Sequence, residues 1–182
     1  MEVNQSYLLL GYPTPSLVGT RDEAILDLAS VLLGEGRSSR LHALLKEELG
    51  LVSSVSVSLW SQAKAGLFIV ETVSDPVNLG EVQKRIHDEL HSLVQSAPDE
   101  EELRRIKHIA LADYAFSNET VSALSHTYGS SCILADIDWA IRYPEVIQSV
   151  SAEELSETLA RYLREDCLCV GHLLPRAGAN PE

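Results

Sequence analysis

Apolar residues run from Gln5 to Tyr12 and give way at Gly11-Tyr12-Pro13-Thr14-Pro15, the pattern of a buried strand feeding a turn. The spacing then changes. Over Asp22 to Leu33, Ala24, Ile25, Leu28, Ala29 and Leu32 recur on one helical face. Thr20 and Glu23 form a capping-box pair ahead of them, and Gly34-Glu35-Gly36 ends the segment. A second helix is expected from Ser38 or Ser39 to about Leu49, broken at Gly50. From Leu51 to Trp60 the period is two: Val55, Val57 and Leu59 face one way, Ser54, Ser56 and Ser58 the other. Gly66 to Val73, rich in β-branched residues, completes an antiparallel hairpin across a short connection at Ser61 to Ala65.

Asp75-Pro76 supplies an N-cap and a first-turn proline for a helix whose apolar face is Val82, Ile86, Leu90 and Val94. Pro98-Asp99 opens the next helix. Glu100 to Glu102 suit the positive end of its dipole, and Leu103, Ile106, Ala110 and Tyr114 form its apolar face. Thr120 to Leu134 and Asp138 to Gln148 are further helical segments. Ser151-Ala-Glu-Glu154 is a second capping box, leading Leu155, Leu159 and Tyr162 into a core. Cys167 to Leu174 reads as a closing strand. This order is α+β: a small, mostly antiparallel sheet with helices packed on it. Consecutive βαβ units are missing, which argues against a doubly wound nucleotide fold. The expected organisation is one domain over residues 1–175 and a flexible tail at 176–182. The chain begins almost inside its first strand, so a longer protein is expected to extend upstream.

Composition narrows the function. The 182 residues are 45% apolar, enough for a real core. Fourteen basic residues against 27 acidic ones leave a charge of −13, the wrong sign for a nucleic-acid face or for docking on anionic lipid. No apolar run reaches the roughly 18 residues of a membrane span. Met1 to Ser6 lacks the basic and apolar regions of a signal peptide. The compartment stays open, with the cytoplasm favoured. Three cysteines are too few for a disulfide scaffold, and Cys167 and Cys169, inside an apolar run, are expected to be buried free thiols.

Local motifs offer little chemistry. Gly34-Glu-Gly36-Arg-Ser-Ser39 imitates a dinucleotide loop but lacks the third glycine and follows a helix rather than a strand. His87 and His91, four apart on one helical face, could share a zinc ion. Glu89 between them fits neither H-E-x-x-H nor H-x-x-E-H, so a solvated helix edge is the favoured reading over an independent metal hydrolase. No serine triad can be assembled: Ser130-Ser131-Cys132 has no elbow glycines, and His126 and His172 have no acid to pair with.

The stretch Leu32-Leu-Gly-Glu-Gly-Arg-Ser-Ser-Arg-Leu41, followed by Leu44-Leu-Lys-Glu-Glu-Leu-Gly-Leu-Val-Ser-Ser-Val55, resembles a family pattern. It is similar to the second, non-zinc-binding domain of the pitrilysin, insulin-degrading enzyme and mitochondrial-processing-peptidase family of zinc metallopeptidases. Gln5 to Gly11, Glu101-Glu-Leu-Arg-Arg-Ile-Lys107, Val150-Ser-Ala-Glu-Glu-Leu155 and Val170 to Pro175 agree in order, so the resemblance runs from Gln5 to Pro175.

The resemblance implies a metallopeptidase-half fold and a division of labour. Such proteases pair two similar α+β domains around a chamber. The first carries H-x-x-E-H, whose zinc activates water with the glutamate as general base. The second forms the opposite wall, where an arginine and a tyrosine seven residues apart contact substrate and stabilise charge at the scissile carbonyl. None of the six histidines here, at 42, 87, 91, 108, 126 and 172, stands in H-x-x-E-H. The chain is therefore expected to hold no catalytic residue and no metal ligand, with zinc in the partner domain. At the matching wall positions stand Lys46 and Ser53. Lysine keeps the charge without the planar fork of arginine, and serine keeps a hydroxyl without the reach of tyrosine. The implied function is a non-catalytic C-terminal domain, inactive alone, with Lys46 and Ser53 as its substrate-binding residues. Its partners would be a peptide substrate and a zinc-bearing homologous domain or subunit. The alternative is a purely structural, non-peptidase subunit of the same fold, like the core proteins of respiratory assemblies.

Overall fold

The computed structural model describes residues 5–175, so the tail expected at 176–182 lies outside the described residues, as do the first four positions. Along the chain come β1 (Ser6–Pro15), α1 (Arg21–Gly34), α2 (Arg40–His42) continued by a π-helical turn at Ala43–Glu48, β2 (Val52–Ser61) and β3 (Ala65–Ser74). Then follow α3 (Leu79–Gln95), α4 (Glu100–Ser117), α5 (Val121–Leu134), α6 (Ile137–Ser149), α7 (Ala152–Tyr162) and β4 (Cys169–Leu173). The strands form one antiparallel sheet in the order β2-β3-β1-β4, with helices packed on the face that carries Leu8, Leu10 and Tyr12. This is the α+β architecture that the apolar pattern predicts.

β1 runs further than expected, through both prolines. Ser6, Leu8, Leu10, Tyr12 and Thr14 are buried, whereas Tyr7, Pro13 and Pro15 are exposed. Pairing with β3 continues to Pro15 opposite Ala65, but pairing with β4 stops where Gly11 meets Cys169. Pro13 and Pro15 share one parity along the strand, and a proline, which has no N–H to donate, is tolerated where a neighbouring strand has ended.

α1 is buried well beyond one face: Ala24, Ile25, Leu26, Leu28, Ala29, Val31, Leu32 and Leu33 are all inaccessible. It packs against β2, α4, α6 and α7. Each buried leucine there contributes about 1.5–3 kcal/mol of transfer free energy. Its start differs slightly from the expected capping box. Thr20 Oγ1 accepts from the Glu23 N–H at 3.3 Å, but Glu23 Oε2 reaches back to the Gly19 N–H at 2.8 Å, one residue beyond the usual partner. The box at α7 closes as expected: Ser151 Oγ accepts from the Glu154 N–H at 3.2 Å, and Glu154 Oε2 accepts from the Ser151 N–H at 2.9 Å. That same carboxylate takes Arg21 Nη2 at 2.8 Å, which ties the starts of α1 and α7 together.

Other expectations shift by a residue or a class. On α3 the buried stripe is Val82, Ile86, Leu90 and Leu93, with Val94 half-buried, because a helix of 3.6 residues per turn drifts from a strict spacing of four. Asp75 makes no capping bond; Pro76–Asn78 forms a 3₁₀ turn ahead of α3. Cys167 and Cys169 are exposed, which corrects the expectation of buried thiols. For Cys169 the reason is topological: β4 is the outer strand on its side and all five of its residues are exposed, while Cys167 falls in the 3₁₀ turn Glu165–Cys167 that precedes the strand. α5 likewise has no buried residue, although its composition is apolar. No helix among the described residues is long and apolar enough to cross a membrane.

The contact between α1 and β2 is close enough to test. A Cβ on Gly34 would stand 2.6 Å from the Val57 backbone nitrogen and 2.8 Å from Val57 Cβ. Gly34→Ala is expected to destabilise the fold by about 1–3 kcal/mol in urea titrations, through forced separation of helix and strand. Gly80→Ala in α3, where a Cβ meets nothing within 4 Å, should instead be neutral or stabilising.

Candidate functional site

Lys46 and Ser53 sit on two successive irregularities of the backbone. After α2 the helix widens, and the Leu49 N–H donates to the Leu44 carbonyl at 3.1 Å, a five-residue step. Lys46 lies on this π turn and is exposed. Gly50, at φ +60°, then reverses the chain, a conformation that glycine adopts without strain. In β2, Val52 stands opposite Ser74 and Ser54 opposite Val73, so Ser53 is the extra residue of a β-bulge. The bulge leaves both Ser53 and Ser54 exposed. The two irregularities are pinned together by the Leu51 N–H, which donates to the Leu45 carbonyl at 2.8 Å.

The two side chains differ in freedom. Among the described residues Lys46 makes no ion pair, while its neighbour Glu47 is taken by Arg37 at 3.2 Å. Ser53 Oγ donates to the Val73 carbonyl at 3.1 Å and accepts from Gln5 Nε2 at 3.4 Å, so its hydroxyl is tethered to the sheet. Arg40, at the start of α2, anchors the whole segment. Its guanidinium grips Glu102 with two bonds of 2.8 and 2.6 Å and reaches Glu89 at 3.1 Å. This half-buried fork fastens α2 to α3 and α4 and raises the arginine's pKa above its usual value, chiefly through the bond to Glu102. The sequence reading did not single it out, since three residues spaced 49 and 62 positions apart carry no local signal.

On the sheet face away from the helices, Tyr7, Leu9, Ser56, Glu71 and Leu173 line a shallow groove of about 490 Å3. The expected polar face of β2 thus opens onto a surface of mixed character.

Zinc does not fit the residues present. His91 Nε2 lies 2.8 Å from Gln95 Nε2, and His87 is half-buried beside Tyr12. Among the described residues no group of three His, Cys, Asp or Glu side chains converges as a metal cage.

A second cavity, of about 380 Å3, opens between α1, α4, α5 and α6. Asp27 lines it, hydrogen-bonded by the Tyr143 hydroxyl at 3.1 Å. Burial, and secondarily the charge of Glu23, push its carboxyl up to about 7 against the lowering effect of that bond. An acid amid the apolar run of α1 was the available signal. Periodicity alone cannot separate a buried acid from one at a helix edge.

Compared with known proteins, residues 1–110 match the peptidase M16 inactive domain. Over 164 residues the chain is 24% identical to the zinc protease PqqE of Helicobacter pylori, a match covering 90% of this chain and 37% of that protein. A protease structure from Helicobacter pylori superposes with a TM-score of 0.88 at 24% identity, over 95% of this chain and 42% of that one. An inactive peptidase domain from Bordetella parapertussis superposes with a TM-score of 0.87 at 18% identity, over 100% of this chain and 96% of that one. The chain thus spans well under half the length of its curated relative and nearly the whole of the isolated domain.

The Asp27 environment sets a pH dependence. An unfolded aspartate titrates near about 3.9. Between there and about 7 the folded state holds a proton that the unfolded state has lost, so stability falls as pH rises through this window and levels above it. Asp27→Asn should remove that decline. The check is urea midpoints at pH 5 and pH 8; an equal decline in both proteins would refute it.

Proposed function

Because the chain belongs to the peptidase M16 inactive-domain family, we propose that it acts as the non-catalytic C-terminal half of a zinc metallopeptidase. It forms the chamber wall opposite a zinc-bearing homologous domain and folds as one domain over residues 1–175. The zinc of that partner supplies the activated water. This chain supplies surface: Lys46 presents an unpaired ammonium to the peptide, and Ser53 shapes the wall beside it. The pinned π turn and bulge hold these two positions without help from bound substrate, which lowers the entropy lost on binding.

The observation that carries this reading is the amount of apolar surface left in water. On α5, Val121 is 82% and Ile133 84% exposed; Phe116 on α4 is 73% exposed. A domain with a well-filled core elsewhere leaves such residues out where another protein surface covers them. The alternative, a purely structural subunit, draws on a different observation: the Ser53 hydroxyl is already spent on Val73 and Gln5.

Mixing the purified chain with the zinc-bearing homologous domain of the same organism tests both. The expected results are a stable complex by light scattering, no cleavage of a fluorogenic peptide by this chain alone, and faster cleavage by the pair. Lys46→Ala should lower the pair's kcat/KM by about tenfold, with Lys46→Arg restoring it. A complex without any change in rate would favour the structural subunit. Chelator-sensitive cleavage by this chain alone would overturn both readings.

A further inference from the structure

The cavity among α1, α4, α5 and α6 lies outside the wall positions and carries an unusual balance of charge. Asp27, Glu35 and Asp113 line it, and no lysine, arginine or histidine does. Among the described residues Asp27 has no ion-pair partner. The charge acting on it is that of Glu23, of the same sign. Glu35 is held above its usual pKa by burial first and by the Asp113 carboxyl second. An unpaired buried acid is costly unless it is neutralised by a proton or meets a cation.

Much of the rest of the wall is aromatic. Tyr114 and Tyr143 stack with ring centroids 5.3 Å apart, and Trp139 meets Tyr143 edge-on at 6.1 Å. All three rings line the cavity. Aromatic faces attract ammonium groups, more strongly when water is excluded. Asn118 adds an independent sign. Its Nδ2 donates to the Tyr114 carbonyl at 2.7 Å, but its Oδ1 is buried and has no donor. An acceptor left bare in a polar recess calls for an N–H from outside the chain. At about 380 Å3 the space suits one small ligand or one side chain rather than a folded segment.

We propose that this cavity binds an organic ammonium group, with Asp27 as its counter-ion, Asn118 Oδ1 as a second acceptor, and the Tyr114, Tyr143 and Trp139 rings around its carbon-bearing end. The inference stands apart from the chamber-wall reading and survives the failure of that reading. The shared chemistry has two sources, a free amine or the amino terminus of a peptide.

The test is titration of the full chain with n-butylammonium chloride, followed by calorimetry and by backbone amide NMR. Saturable shifts confined to α1, α4, α5 and α6 are expected, with sodium chloride at equal strength causing none. Asp27→Asn, isosteric and without charge, should weaken binding about tenfold or more. Asp113→Asn, at an exposed position, should weaken it less while leaving the fold intact. A free-amino tripeptide that binds more tightly than butylammonium, and loses binding on N-acetylation, would assign the source to a peptide; the reverse order would assign a free amine. Absence of saturable shifts would overturn the proposal, as would butylammonium affinity unchanged in both variants.

Discussion

The whole molecule depends on the burial of one helix. α1 buries eight side chains, so it must be enclosed on several sides at once. The sheet supplies one side, and α4, α6 and α7 supply the others. A helix apolar over more than one face is stable only inside such a shell, since most helical stability in a protein comes from tertiary packing. The close approach at Gly34 follows from it: β2 comes near enough to α1 that even a methyl group would collide. The cross-links at the helix start follow as well. Arg21 binds Glu154 and Ser149, and Asp22 accepts from both Arg161 and Tyr162, which locks α7 over the same helix.

Enclosing α1 from one side of the sheet leaves the other side bare. The bare side offers the groove beside Tyr7 and Glu71 and the outer strand β4, while Lys46 and Ser53 lie where the π turn passes into β2. Regular structure would have turned those two positions by the periods of an ordinary helix and strand. A π turn and a β-bulge, one extra residue in each, re-aim them instead, and both devices are often found near functional surfaces. The Arg40 fork to Glu102 and Glu89 keeps this irregular segment from relaxing.

Charge is distributed unevenly around this frame. The chain carries 27 acids and 14 bases, and the bases are largely consumed in cross-links such as Arg21–Glu154, Arg40–Glu102 and Arg37–Glu47. The cavity around Asp27 receives none of them. Its carboxyl is compensated by a tyrosine hydroxyl alone, and that hydroxyl is in turn pushed well above its ordinary pKa by burial and by Asp27. The recess therefore concentrates three of the 27 acids with no base among them, while the rest of the surplus is spread over the surface.

By itself the sequence determined the element order, the α+β class and most boundaries, because these rest on local periods and caps. Thr20, Asp99, Thr120 and Ser151 cap their helices, each accepting a backbone N–H where the chain pattern places it. It also carried the ordered blocks around Gly34–Leu41 and Leu44–Val55 that mark the family. Only the tertiary structure decided which surfaces stay in water. The thiols of Cys167 and Cys169 sit in an apolar run, yet both are exposed: Cys169 because β4 ends up at the sheet's margin, Cys167 in the 3₁₀ turn before it. Asp27 sits among core residues, and its neighbours Tyr143 and Asn118 come from segments about a hundred residues away. Periods of 2 and 3.6 residues report which way a side chain points along its own element. What it meets there depends on the packing of elements far apart in the chain, and that is set by the enclosure of α1.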